Sequence, residues 1–280
     1  MLAYVINLDS ASARWEHMVA AFRGADVRLV RVPAVDGGAM KLPTAELDLA
    51  GFHRWHGREI NVFEVACYLS HLKAMTAFLD DTDAEHALIL EDDVTPAPGI
   101  DLVIREALKS ADAWSVLRMS GLSPGRPLTV RKLSGGYSIC VSFGRTKGAG
   151  AYIVNRLAAR RFVDHMLPIT VPYDHAVDRE WFWGLKAASV LPFPISQTDG
   201  QFRSSIQHNS QQKLSRARRF GTTYPYQAFN ELTRYIFRLA SFAVWKADTA
   251  QAPEANPVDL GPLAHPLPVD PPRQTVVALR

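Results

Sequence analysis

Short apolar runs separated by amphipathic stretches set the rhythm of the chain. Residues 3–8 (AYVINL) form one run, 27–32 (VRLVRV) alternate apolar and basic positions, and 87–90 (ALIL) are apolar throughout. Such runs, bounded by polar residues, predict strands, and 115–119, 138–143 and 152–155 read the same way. Between them the apolar period lengthens. Residues 12–22 and 99–110 predict helices. A longer helix follows Asn61, where Val65, Tyr68, Leu69, Leu72, Met75 and Leu79 recur at helical spacing, with Asn61 as N-cap and Glu64 as its capping-box partner. Residues 33–60, carrying Gly37, Gly38, Pro43, Gly51 and Gly57, read as loop. Strands alternating with helices predict an α/β fold with a mostly parallel central sheet flanked by helices. In such sheets ligands bind at the carboxyl ends of the strands.

The C-terminal part breaks this rhythm. Phe229, Leu232, Ile236, Leu239 and Ala243 recur at helical spacing, with Arg234, Arg238, Ser241 and Trp245 on the other side. Eight Lys or Arg against the single acid Glu231 fall between Arg203 and Lys246, and RARRF (216–220) precedes the helix. A basic amphipathic helix reads in two ways: lying on an anionic membrane surface, or packed on the rest of the protein. Seven prolines between Pro253 and Pro272 mark an extended or disordered tail. The organisation expected is a catalytic domain over 1–210, a basic amphipathic segment over 211–250 and a Pro-rich tail over 251–280.

Composition narrows the class. The chain is 48% hydrophobic, enough for a large core, and its net charge of +3 gives no global field for nucleic acid. Cys67 and Cys140 make no disulfide or metal framework, which suits a reducing cytoplasm. Met1 runs straight into AYVINL with no leader-like pattern, and no uninterrupted apolar window reaches the length of a span. The expected location is cytoplasmic, peripheral at the inner face of the membrane if the basic helix binds lipid.

Candidate chemistry begins where ALIL ends in three acids, Glu91, Asp92 and Asp93. Like charges crowded together need a cation among them. Alternation along an extended chain sends Glu91 and Asp93 to one side and Asp92 to the other. Two hard oxygen donors on one side suit Mg²⁺ or Mn²⁺, with nucleotide phosphates as the natural third party. An isolated cluster of this kind also occurs as a helix cap or a solvated strand end. Asp9 and Asp174 equally fit helix starts, and Gly148 and Gly150 fit a turn between strands.

Taken together, YVINLDSASARWE (4–16), FEVACYLSHLKAM (63–75), ALILEDDV (87–94), TKGAGAYIVN (146–155) and PYDHAVD (172–178) resemble glycosyltransferase family 25. That family contains bacterial lipopolysaccharide and lipooligosaccharide sugar transferases and the collagen galactosyltransferases. The chain departs from its common pattern at Ser10 and at Val62–Ala66. The resemblance spans roughly residues 3–206 and implies a GT-A-like fold. It implies metal-dependent, inverting transfer of galactose or glucose from a UDP-sugar to a saccharide acceptor, expected to be lipid-linked. It places Asn7, Asp9 and Arg14 at the nucleoside end of the donor, and Ser70, Lys147, Gly148 and Gly150 near the sugar. It gives Asp174 the role of base, with Asp178 and then His71 as alternatives, and offers His208 as a late metal ligand beside Glu91 and Asp93. The same acid cluster would also serve a metal-dependent nucleotidyltransferase or phosphohydrolase. A sugar-binding protein without catalysis would keep the same fold.

Overall fold

The computed structural model describes residues 1–197 and 212–251, with side chains through Trp245. His208 and the Pro-rich tail lie outside the described residues. The strands are β1 (Leu2–Asn7), β2 (Arg28–Pro33), β3 (His86–Glu91), β4 (Val94–Pro96), β5 (Val116–Arg118), β6 (Pro127–Lys132), β7 (Ser138–Ser142), β8 (Ala151–Asn155), β9 (Ala187–Leu191) and β10 (Ile195–Gln197). The α-helices are α1 (Ser12–Ala21), α2 (Leu49–Trp55), α3 (Val62–Asp81), α4 (Ile100–Leu108), α5 (Arg156–His165), α6 (Tyr173–Val177), α7 (Arg216–Gly221) and α8 (Thr223–Gln251).

Eight strands form one sheet in the order β2-β1-β3-β8-β5-β9-β7-β6, while β4 and β10 pair separately. β1, β2 and β3 are mutually parallel, as are β5 and β9. β8 is inserted antiparallel between β3 and β5, and β7 runs antiparallel between β9 and β6. Two reversed strands inside an otherwise co-directional sheet leave it mostly parallel in direction and mixed in pairing.

Both faces are covered, which is why the central strands read as unbroken apolar runs. Tyr4, Ile6 and Ile89 join the core that includes Phe78 of α3 and Phe162 of α5. Ala3, Val5, Leu88 and Leu90 point the other way, into the core with Met18 of α1, Ile104 of α4, Trp114 and Trp245 of α8. α3 is long and apolar enough, by length and composition, to cross a membrane. In this fold it packs in the first of these cores.

Several elements differ from the sequence reading. α2 forms inside the expected loop, its N-cap Asp48 accepting from the Gly51 N–H at 2.9 Å. β6 and β9 were hidden by their company. β6 is an exposed edge strand with little apolar signal, and β9 holds small residues, Ala187–Ser189, in a buried setting. At the start of α3 the Asn61 side chain accepts from the Phe63 N–H at 3.0 Å, as an N-cap does.

A further difference is the orientation of α8. Its inward side is the polar one, with Thr223, Asn230, Arg234 and Arg238 buried alongside Trp245. The stripe Phe229, Leu232, Ile236 and Leu239 faces outwards. Arg234 and Arg238 are therefore taken up by the protein's own acids and are out of reach of any head group.

Candidate active site

Parallel register brings Asn7, Glu91 and Arg118 to one edge of the sheet, the carboxyl edge of β1, β3 and β5. Because β8 is reversed, its beginning lies at that same edge, where the Glu91 N–H donates to the Gly150 carbonyl at 2.8 Å. The loop through Lys147, Gly148 and Gly150 is thus laid across the acids. A Cβ at Gly150 would come 3.0 Å from Gln197 Nε2 and 3.3 Å from Val94 Cγ1, so glycine permits this close approach. Gly148 has φ +85, and its carbonyl accepts from Arg118 Nη1.

The strand ends at Glu91, so Asp92 and Asp93 sit in the turn that follows and not in the pleat the alternation assumed. Asp92 turns to α1: Asn7 Nδ2 donates to its Oδ2 at 2.7 Å, and Arg14 Nη1 to its Oδ1 at 3.0 Å. Glu91 turns to α3, with Oε1 3.2 Å from His71 Nε2. His71 is fully buried. Its Nδ1 lies 3.1 Å from the Tyr152 hydroxyl, which is 2.6 Å from that of Tyr173, and the Tyr173 ring stacks on the imidazole at 3.9 Å. Burial and the charges of Glu91 and Asp92 push Asp93 up to about 7, against the counter-effect of Arg14. A cluster that holds a carboxyl this high is short of cationic charge, and its oxygen donors fit a hard divalent cation. Cys67, His71 and Glu91 also converge within 4.8 Å. Burial and the surrounding acids Glu91, Asp174, Glu64 and Asp93 push the Cys67 thiol well up, favouring its protonated form.

Asp174, at the start of α6, lies beside this cluster. Its Oδ1 accepts from the His175 N–H at 3.0 Å, and its Oδ2 is 3.5 Å from the Gly148 nitrogen. Behind it, burial and the Asp174 charge push Glu64 up to about 7. On its other side opens a cleft lined in part by Trp55, Lys147, Asp174, His175, Arg179 and Tyr226. Trp55 and Tyr226 pack with centroids 4.7 Å apart, and Arg179 lies over the Tyr226 ring at 5.3 Å. Aromatic faces, a cation and a carboxylate suit a polyhydroxylated ligand. Burial pushes His175 down, and pushes His56 beside it down to about 3, so both imidazoles are neutral near pH 7.

Asp178 has a different setting. It is 3% exposed, with Arg238 Nη2 donating to Oδ1 at 3.0 Å, Thr146 Oγ1 donating to the same oxygen at 3.1 Å, and Arg234 Nη2 at 3.3 Å from Oδ2. Arg118 Nη2 is 3.7 Å away. Burial alone would push this carboxyl up, but Arg238, Arg118 and Arg234 outweigh it and hold the pKa below the ordinary value. A carboxylate so paired is a poor proton acceptor, and Asp178 is the anchor of α8.

The other expected donor residues are held by the protein itself. Asn7 is fully buried, its Oδ1 taken by Arg31 Nε at 2.8 Å and its Nδ2 also reaching the Ala11 carbonyl at 3.1 Å. Ser70 is buried, donating to the Ala66 carbonyl and accepting from the Val35 N–H at 2.8 Å, so it fastens α3 to the chain after β2. Neither has the free polar atoms that reading a nucleoside requires. Asp9 is exposed, 3.6 Å from Arg31, and Lys147 is exposed at the cleft. Glu64, Trp55, Arg179 and Tyr226 were missed. Glu64, Cys67 and His71 do share one side of α3, which was the available signal. The aromatics come from α2 and α8, elements whose meeting no local pattern announces.

Residues 1–126 match the family described as glycosyltransferase family 25 (LPS biosynthesis protein). No curated protein matches in sequence. Among solved structures, the galactosyltransferase LgtC in complex with donor and acceptor sugar analogs is similar at TM-score 0.34 and 11% identity, over 91% of this chain and 98% of that one. The inositol-1-phosphate CTP transferase from T. maritima is similar at TM-score 0.36 and 13% identity, over 74% and 93%. A197 from STIV is similar at TM-score 0.37 and 15% identity, over 67% and 80%. Likenesses this distant carry no argument about chemistry, and the TKGAGAY and PYDHAVD motifs lie beyond the family match. Arg14, Glu64, His71, Glu91 and Asp93 all lie within the stretch that matches glycosyltransferase family 25.

Proposed function

We propose that this protein is a metal-dependent, inverting hexosyltransferase that moves galactose or glucose from a UDP-sugar to a saccharide acceptor of the lipopolysaccharide type. The observation that carries the reading is Asp174, set between the acid cluster of the family 25 segment and the aromatic cleft. A donor phosphate belongs at the first and an acceptor sugar at the second, and a carboxylate between them is where the acceptor's proton has to go.

Glu91 and Asp93 are the residues that would hold Mn²⁺ or Mg²⁺, which supplies charge stabilisation for the departing diphosphate. Asp92, committed to Asn7 and Arg14, fixes the turn that presents them. His71 orients Glu91 from below and has no access to a substrate hydroxyl. In the transfer, the acceptor hydroxyl oxygen bonds to the anomeric carbon as the bond to the diphosphate oxygen breaks. The electron pair leaves with the nucleoside diphosphate, and the hydroxyl proton passes to Asp174. A single displacement of this kind inverts the anomeric centre. Trp55 and Tyr226 offer the acceptor ring an apolar face, while Lys147 and Arg179 are placed for its oxygens.

The test is UDP release from UDP-galactose and UDP-glucose, with and without Mn²⁺ and a saccharide acceptor. Acceptor-stimulated, metal-dependent release is expected. Nucleotide turnover that yields free phosphate and no glycoside, or full transfer after metal stripping, would overturn the reading.

A further inference from the structure

We propose that the outer face of α8, together with α7, is a docking surface for an anionic lipid bilayer. The observation is an inverted helix. From Tyr224 to Val244 the outward positions are apolar, with Phe229 58%, Leu232 60% and Ile236 58% exposed. The charged side chains of that stretch are ion-paired within the protein: buried Arg234 and Arg238 with Asp178 and Glu180, and half-exposed Glu231 with Arg145 and Arg234. An apolar face of about twenty residues runs roughly 30 Å along a helix. Contiguous exposed apolar surface of this extent marks an interaction site.

Charge complementarity selects the occupant. At the N-terminal end of this face α7 adds Phe220, 77% exposed, and the exposed Arg216 and Arg218, with exposed Lys213 just before it. No acid occurs between Lys213 and Asn230. Apolar face, tyrosines at its flank and a basic cluster in line with it are the two components of interfacial binding: inserted side chains, and cations at head-group level. The face is the convex side of one helix and forms no groove for a peptide. The inner side of the same helix lines the cleft through Tyr226, Asn230 and Arg234. Resting on the proposed function, this places a membrane-embedded acceptor's sugar one helix thickness from its lipid.

The experiment is sedimentation of the full chain with vesicles. Phosphatidylethanolamine–phosphatidylglycerol vesicles should bind it, phosphatidylcholine vesicles should not, and added salt should weaken binding. Arg216→Gln with Arg218→Gln should lower the partition coefficient on the order of 25-fold, about fivefold for each charge. Leu232→Glu with Ile236→Glu should lower it at least as much, with the unfolding temperature unchanged because both positions are exposed. Indifference of the intact chain to anionic vesicles would overturn the proposal, as would binding that survives Leu232→Glu with Ile236→Glu. A dimer dissolved by those substitutions, without vesicle binding, would assign the face to a second copy. Vesicle binding gained only on deleting 252–280 would assign it to the chain's own tail. Either result overturns the proposal that this face docks the intact chain on lipid.

Discussion

Replacing Arg238 with Met should destabilise the whole fold and not only loosen its last helix. Arg238 donates to both carboxylate oxygens of Glu180, at 2.8 and 2.9 Å, to Asp178 at 3.0 Å and to the Ser142 carbonyl at 2.6 Å. Glu180 is fully buried, and Arg238 is its cationic partner among the described residues. Methionine fills much of the volume but leaves that carboxylate in the interior with no counter-charge. Removing one member of a buried ion pair costs about 3–5 kcal/mol. For a fold of this size each kcal/mol lowers the unfolding temperature by about 2–4 °C, so the loss should be roughly 6–20 °C. Urea unfolding should show the same loss at unchanged m-value. Glu180→Leu combined with Arg238→Met removes both charges and should recover most of the loss, since desolvation of the pair largely offsets its attraction. A drop below about 3 °C, or a double variant no better than the worse single one, would refute the argument. Low pH provides a second reading. Asp178 has a depressed folded pKa, so its stabilising contribution is present above the unfolded value and disappears as pH falls through the folded one.

Asp174→Asn should lower turnover by about 10²–10⁴-fold with little change in donor binding or unfolding temperature. Asp178→Asn should instead behave as a stability variant, and a pure kcat loss there with normal stability would reverse the two roles. Asp93→Ala should abolish transfer and remove the metal dependence of UDP binding, measured by titration calorimetry. Metal-enhanced UDP binding in that variant would place the ligands elsewhere. Glu64, raised to about 7, is protonated in the fold at pH values where the unfolded chain has ionised it. Stability from this group is therefore full below about 4.5 and declines as pH rises through 7. Glu64→Gln should flatten that decline, and an unaltered pH profile of the unfolding midpoint would dismiss the shift.

The parts of this fold that could be read from the chain are those whose side chains answer to their own neighbours. β1, β3 and α3 carry strong local periodicity. Roles that depend on distant partners were not legible. Asn7 looks like a nucleoside reader until Arg31, Asp92 and Ala11 claim all its polar atoms. Asp178 looks like Asp174 four residues earlier, and only the arrival of Arg234 and Arg238 from a helix 60 positions away separates an anchor from a base.

α8 shows the limit most sharply. Helical spacing correctly divides it into an apolar stripe and an arginine side, and burial of the apolar stripe is the ordinary outcome because it gains the most from leaving water. Here the surface awaiting the helix is not apolar. Asp178 and Glu180 are already buried where the helix docks, and an unpaired acid in that position costs more than an exposed leucine forfeits. The helix therefore docks by its charges and leaves its apolar side outermost. A sequence pattern specifies the two faces of a helix. Which of them turns inwards is decided by the chemistry of the surface it meets, and in this protein two buried acids decide it.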